Sequence, residues 1–182
     1  MAKIGIYGSA FDPITYVHLW TASTVAHRCK LDKVIFLPSS SRRKDKKIYT
    51  EDHHRWNMVQ MAIQDNKKFI ADDYEMKQDP WKITTYETLN YFKEKYPNDE
   101  IYFIRGADLL VDIGEGKWGN AEALIRENKF IIMARDGIDM LKAISKSPIL
   151  RNNDNGNTFH LIDKGLAMEI SSSYIREEFN LG

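Results

Sequence analysis

Cysteine is nearly absent: Cys29 stands alone among 182 residues, so no internal disulfide can form. A reducing cytoplasm is the expected setting for such a chain. Long apolar runs are missing too, since no stretch approaches the roughly 18 residues of a membrane span. The opening Met1-Ala2-Lys3-Ile4-Gly5-Ile6-Tyr7 lacks the apolar core of a secretory leader. Neither charge sign is in excess, because 26 Lys and Arg balance 26 Asp and Glu. No bulk field therefore draws nucleic acid or an anionic membrane; neither is an expected partner, and any anion must be met locally. Internal repeats are absent, and the only biased tract is one short basic run. What is there, 43 % hydrophobic and 29 % charged residues, is an ordinary globular mixture that excludes collagen-like and disordered classes. At roughly 150 residues per domain, 1–182 reads as one domain.

Short apolar stretches alternate with longer helical patterns. Ile4–Tyr7, Val34–Leu37, Phe69–Ala71, Ile101–Ile104, Phe130–Met133 and Phe159–Ile162 are too short for helices and rich in β-branched or aromatic side chains, which predicts strands. Between them, 18–29, 52–65, 84–96, 119–127 and 138–145 carry apolar residues at three- and four-residue spacing, which predicts helices. Parallel strands need crossover connections, so the alternation predicts an α/β fold, Rossmann-like and doubly wound, with a mostly parallel sheet and helices on both faces. Ligands of such sheets bind beyond the carboxyl ends of the strands, which puts loops starting at Gly8, Pro38, Tyr74, Gly106 and Ala134 on one rim. Asn152–Asn157 is the most turn-rich stretch and reads as a surface loop.

The first rim loop, Gly8-Ser9-Ala10-Phe11-Asp12-Pro13-Ile14-Thr15-Tyr16-Val17-His18, joins a strand to a helix. Small residues at 8–10 let a bulky ligand approach the backbone, and the helix start behind them offers N–H groups to an anion. His18 falls on the first turn, where it either faces that anion or caps the helix. Near the other end, Ile170-Ser171-Ser172-Ser173-Tyr174-Ile175-Arg176 puts serines at a helix start and an arginine one turn further in. Hydroxyl, amide and guanidinium donors then converge on a phosphate; a serine cap with an exposed arginine is the other reading.

Together these segments resemble the two halves of the nucleotidyltransferase signature, a glycine-rich loop with Thr-x-Gly-His and a distal Ile-Ser-Ser-Thr/Ser-x-Ile-Arg. Thr15 and His18 match the first half, with Val17 where the family has glycine. Between the halves, Tyr102–Leu110 with its Gly106-Ala107-Asp108 turn, the downstream Trp118, Leu37-Pro38 followed by Lys44, Arg55, Glu75 and Thr85-Tyr86-Glu87-Thr88-Leu89 are similar in order and spacing to bacterial nicotinate-mononucleotide adenylyltransferases. Phosphopantetheine adenylyltransferases share Phe11–Thr15 and a Ser-Ser motif but lack the Gly-Ala-Asp turn with its tryptophan, and rank second. A catalytically weak nucleotide sensor on the same fold is the reading from another class, favoured by Val17 and by an end at Gly182, where the family commonly adds a helix. Two further departures are Arg105, where an apolar residue usually precedes the glycine, and Ser41-Arg42-Arg43-Lys44 in place of Pro-Pro-His-Lys.

The resemblance implies transfer of the adenylyl group of ATP to nicotinate or nicotinamide mononucleotide, forming deamido-NAD or NAD and pyrophosphate in NAD biosynthesis. It gives catalytic roles to His18, Lys44 and Arg176. It sets ATP against Gly8, Ser9, Ala10, Phe11, Thr15, His18, Gly106, Asp108, Ile170, Ser171, Ser172, Ser173 and Arg176, and the mononucleotide against Ser9, Lys44, Thr84, Thr85, Trp118 and Arg135. Mg²⁺ would travel mainly on the ATP phosphates, with no metal site in the protein; a homo-oligomer stays open. From the residues themselves, Asp108 suits either a helix cap or a ribose, and Trp118 either core packing or stacking on a planar ligand. No nucleophile stands out, Cys29 having no paired base, so the attack is direct. A phosphate acceptor is already ionised near neutral pH, and catalysis reduces to positioning and charge neutralisation.

Three features are decoys. Gly114-Glu115-Gly116-Lys117-Trp118-Gly119 fits the dinucleotide fingerprint, but a helical turn over 108–113 separates it from its strand. The run Arg42–Lys47, with five bases and one acid, reads first as a solvated loop in a neutral chain and second as an anion contact. His53 and His54, adjacent on a helix, are expected to diverge and leave metal unligated.

Overall fold

In the computed structural model, residues 1–44, 47–135 and 137–163 are described. Six strands, β1 (Lys3–Ser9), β2 (Lys33–Pro38), β3 (Phe69–Ala71), β4 (Glu100–Gly106), β5 (Lys129–Met133) and β6 (Phe159–Ile162), form a sheet in the order β3-β2-β1-β4-β5-β6. Every pairing is parallel, so all six carboxyl ends lie on one rim. The chain moves outward from β1 to β3, then returns to β4 on the other side of β1. The connections leaving β1 and β4 thus diverge, opening a crevice between them at the topological switch point.

Burial on both faces explains why the strands read as continuous apolar runs rather than alternating ones. Ile4, Ile6, Ile35, Leu37, Phe103, Phe130 and Ile132 point to one face. There they meet α3 (Thr85–Lys95), α4 (Asp108–Gly114), α5 (Ala121–Glu127), α6 (Met140–Lys146) and α7 (Pro148–Asn153) through Leu89, Phe92, Leu109, Leu110, Leu124, Ile144 and Leu150. Tyr7, Val34, Phe36, Ile104, Ile131 and Met133 point to the other, against Ala22 and Val25 of α1 (Tyr16–Arg28) and Val59 and Ile63 of α2 (Asp52–Ile63). Gly5 makes room for its neighbours, because a Cβ there would come within 2.7 Å of the side-chain ends of Ile104 and Leu31, which would have to shift.

Helix α7 is absent from the pattern reading, and Asn152 and Asn153 belong to it rather than to the loop that follows. Its signal is a stop-and-restart: Ser147 accepts a hydrogen bond from the Leu150 N–H at 3.4 Å, with Pro148 at the first helical position. Among the described residues no helix is long and apolar enough to cross a membrane.

Candidate active site

The first rim loop is held from beneath. Arg55 of α2 is fully buried, and its guanidinium donates to the Ala10 carbonyl at 2.7 Å, the Thr50 carbonyl at 2.9 Å and Asp52 Oδ1 at 2.5 Å. A guanidinium is tolerated away from water only when its donors are met in this way. Asp12 is also buried, and its carboxylate accepts the Tyr49 N–H at 2.7 Å. Phe11, at φ 45° in the left-handed region, packs its ring among Tyr7, His18 and Phe36 with centroids 5.1 to 5.5 Å away. The peptide between Asp12 and Pro13 is cis. β2 closes the far side, the Ser39 N–H donating to the Ser9 carbonyl at 2.9 Å.

Gly8 tells more by what surrounds it. A Cβ there would meet Phe103 at 3.7 Å and the Leu37 carbonyl at 4.0 Å, ordinary contacts, and its backbone is not in the left-handed region. Among the described residues nothing demands glycine at this position.

His18 sits on the first turn of α1, buried against Phe11 and edge-on to Tyr7. Its Nδ1 accepts the Thr15 N–H at 3.0 Å and lies 3.1 Å from Thr15 Oγ1. An amide can only donate, so Nδ1 carries no proton and the neutral ring holds its hydrogen on Nε2. Burial pushes the pKa down from 6.5 to about 4, which keeps the ring neutral at physiological pH. Capping and donating are thus compatible: one nitrogen caps, and the other is a donor.

The second rim loop, following β2, is stitched to the turn after β3. Glu75 is buried, accepting the Ser40 N–H at 3.3 Å and pairing with Arg43 at 2.9 Å, while Arg42 donates to the Met76 and Gln78 carbonyls at 3.0 and 2.7 Å. Two bases of the basic run, exposed Arg42 and half-buried Arg43, are therefore structural ties as well as charges. Lys44, beside them, is exposed.

At the carboxyl ends of β4 and β5, Arg135 approaches Asp108 at 3.5 Å and lies beside Gly106. Asp108 is the first residue of α4 rather than its cap, which falls on Ala107, and an acid there is favoured by the helix dipole. Arg105, half-buried, faces two rings, with its guanidinium carbon 5.6 Å from the centre of Phe103 and 5.8 Å from that of Trp118. Trp118, also half-buried, packs against the core on one side. Burial pushes the Tyr7 phenol far up, opposed by the nearby Arg135 and Arg105 cations and by a hydrogen bond with Thr21.

Gly8, Ser9, Ala10, Phe11, Thr15 and His18 therefore form one wall of the crevice, and Gly106, Asp108, Arg135 and Trp118 belong to the β4–β5 side. Thr84 is drawn into capping, its Oγ1 accepting the Glu87 N–H at 3.2 Å, with Thr85 opening α3 behind it. Ile170, Ser171, Ser172, Ser173 and Arg176 lie outside the described residues. The tie from Arg55 to Ala10 and the tether from Asp12 to Tyr49 are supports of this loop that sequence spacing does not reach. The dinucleotide decoy is disposed of, since α4 separates β4 from Gly116. His53 and His54 do not diverge: their exposed rings swing together to 4.0 Å between centroids, and His53 Nδ1 lies 3.4 Å from the Glu51 carboxylate. All three side chains are in solvent, where such positions shift readily, and among the described residues they are the one cluster with metal-ligand spacing.

A loop of small residues leading into a helix start, at the switch point of a parallel sheet, points to a class that known relatives make explicit. The cytidylyltransferase-like family matches residues 6–178, and the chain belongs to it. Within that family it belongs with the nicotinate-nucleotide adenylyltransferases. A Clostridium tetani protein named "probable nicotinate-nucleotide adenylyltransferase" is 37 % identical over 183 residues, spanning 100 % of this chain and 89 % of the relative. A Clostridium novyi protein of the same name is 34 % identical over 98 % of this chain and 87 % of its own. The solved Plasmodium falciparum nicotinic acid mononucleotide adenylyltransferase complexed with APC superposes with a TM-score of 0.72 at 30 % identity, over 97 % of this chain and 83 % of that one. The same enzyme complexed with NaAD gives 0.71 at 30 % identity, over 96 % and 80 %.

Proposed function

We propose that this protein transfers the adenylyl group of ATP to nicotinate mononucleotide, giving deamido-NAD and pyrophosphate. The acceptor phosphate, already ionised, attacks the α-phosphorus in line, and pyrophosphate leaves on the opposite side. His18 carries the reading: its Nε2–H, with the ring locked by Thr15, is a neutral donor held ready for charge that grows on the α-phosphate. Gly8, Ser9 and Ala10 lie along the triphosphate, with Phe11 and Thr15 shaping the turn. Lys44 and Arg176 supply cations. Asp108 and Gly106 take the adenosine ribose, Ser171, Ser172 and Ser173 with Ile170 hold the distal phosphates, and Trp118, Thr85 and Arg135 face the acceptor.

Among the described residues the rim carboxylates already have partners: Asp108 pairs with Arg135, Glu75 with Arg43, and Asp12 accepts from Tyr49. That donor set fits Mg²⁺ held by the triphosphate and water, where it supplies charge neutralisation. We place the activity in the cytoplasm, as one domain over 1–182. The test is to incubate the protein with ATP, Mg²⁺ and, in turn, nicotinate mononucleotide, nicotinamide mononucleotide and phosphopantetheine, then measure pyrophosphate. Fastest release with nicotinate mononucleotide is expected; release only with phosphopantetheine, or nucleotide binding without turnover, overturns the assignment.

A further inference from the structure

Asp52 joins the loop after β2 to the loop after β1. It is the first residue of α2, where an acid is favoured by the helix dipole, yet its contacts reach beyond the helix. Asp52 Oδ1 accepts the Ser41 N–H at 2.9 Å and an Arg55 guanidinium N–H at 2.5 Å. The same guanidinium donates to the Ala10 carbonyl at 2.7 Å. Three hydrogen bonds thus run from the backbone of one loop to the backbone of the other. Their centre is the fully buried Arg55, and charge assistance makes such bonds short and strong.

Lys44 follows soon after Ser41. Between them, Arg42 and Arg43 are tied to the turn after β3, through the Met76 and Gln78 carbonyls and through Glu75. Those ties set the second loop against the outer edge of the sheet, whereas the tie at Ser41 sets it against the loop that the functional reading lays along the triphosphate. Further on, the Tyr49 N–H is held by Asp12 of that same first loop. Lys44 therefore lies between two backbone points, Ser41 and Tyr49, that both refer back to it. A cation lowers a barrier only where charge develops, and a displacement of about 1 Å from the productive position costs on the order of 100-fold. We propose that Asp52 is a positioning residue for the adenylyl transfer: by holding Ser41 to the Arg55–Ala10 tie, it sets Lys44 relative to the triphosphate loop. This rests on the functional reading above, in which Lys44 supplies a cation to the reaction.

The test is a double-mutant cycle on kcat with Asp52→Ala, Asp52→Asn and Lys44→Ala, joined to amide hydrogen exchange at Ser41 in the whole protein. Asp52→Ala is expected to lower kcat by about tenfold and to speed Ser41 exchange by about tenfold or more. Asp52→Asn, isosteric and with a neutral oxygen that still accepts, should lose about threefold, and it keeps the cycle usable if the alanine variant does not fold. In the Lys44→Ala background neither substitution should slow kcat further, because the group they misplace is gone. Equal factors in the two backgrounds would mean that Asp52 acts on stability or on the first loop alone, which overturns the proposal. Wild-type kcat in the folded Asp52 variants overturns it as well, as does unchanged exchange at Ser41. If Lys44→Ala itself turns over at the wild-type rate, Lys44 leaves the functional reading and this inference goes with it; a slow Lys44→Ala with multiplying Asp52 effects breaks the inference alone.

Discussion

The two walls of the crevice are built differently. On the β1 wall each group is fixed several times over: Arg55 grips the Ala10 carbonyl, Asp12 holds Tyr49, Phe11 is wedged among three rings, and His18 is locked by Thr15. On the β4 wall the candidate side chains are half-buried, with contacts that include ring faces and a long ion pair between Arg135 and Asp108, while Lys44 across the crevice is exposed. The rigid wall suits a charge that must be met at a set point, since a preorganised donor needs no rearrangement as the reaction proceeds. The softer wall, which the proposed reading gives to the adenosine ribose and the acceptor ring, suits binding more than the reacting charge. Substitutions on the first should therefore alter kcat and stability together, and those on the second should alter KM, for ATP at Asp108 and for the acceptor at Trp118 and Arg135.

The largest effect is expected at Arg55. Arg55→Leu leaves the Ala10 and Thr50 carbonyls and Asp52 without their buried partner, which should lower unfolding free energy by about 3–5 kcal/mol. Denaturant titration measures this, and turnover in the remaining folded protein should fall as well. A stable, active Arg55→Leu enzyme would show that the loop needs no anchor.

His18 comes next, in two measurements. Its pKa is depressed in the folded state, so below about 6.5 the unfolded chain takes up the proton first, and stability falls as pH drops from 6.5 toward about 4. The loss amounts to about 3 kcal/mol across that window, and His18→Asn, which keeps an acceptor for the Thr15 N–H, should flatten it. Between pH 6.5 and 9 the same group contributes no slope. In turnover assays His18→Ala should be slower by about 100-fold, the scale for one preorganised donor. A folded variant with wild-type kcat would exclude His18 from the reaction.

On the softer wall the numbers shrink. Trp118→Ala should weaken acceptor binding by about 2- to 13-fold from lost stacking, with ATP affinity nearly constant. Trp118→Phe should retain most of it; equal loss of both ligands with a lower melting temperature would instead mark Trp118 as core. Smallest is Thr84→Ala, which should cost about 1 kcal/mol through the lost cap of α3 and leave acceptor KM unchanged. A raised KM at constant stability would return Thr84 to the binding surface.

What was legible in the sequence follows the range of the interactions. All six strands were readable because both sheet faces are buried and short apolar runs betray them. Thr15 and His18, three residues apart, were readable for the same local reason. Helix α7 was also written locally, in Ser147-Pro148, yet its single apolar turn gives no period to detect. By contrast, Arg55 meets Ala10 across 45 residues and Arg43 meets Glu75 across 32. No spacing rule reaches that far, because the fold alone decides which charges become neighbours. His53 and His54 failed for a different reason: helix geometry fixes where their Cβ atoms point, but exposed rings rotate beyond that.

The walls stand on β1 and β4, strands hydrogen-bonded to each other from Lys3 and Glu100 up to Tyr7 and Ile104. Neighbouring strands keep a spacing of about 4.8 Å that no side chain can stretch. The separation between the loop after β1 and the turn after β4 is thus set by a ladder of backbone bonds, not by a hinge. A site laid out this way is expected to work as a caliper with fixed jaws, refusing substrates of the wrong span by the frame itself. Evolution or design that seeks a longer or shorter acceptor must rebuild the loops, since the sheet will not yield.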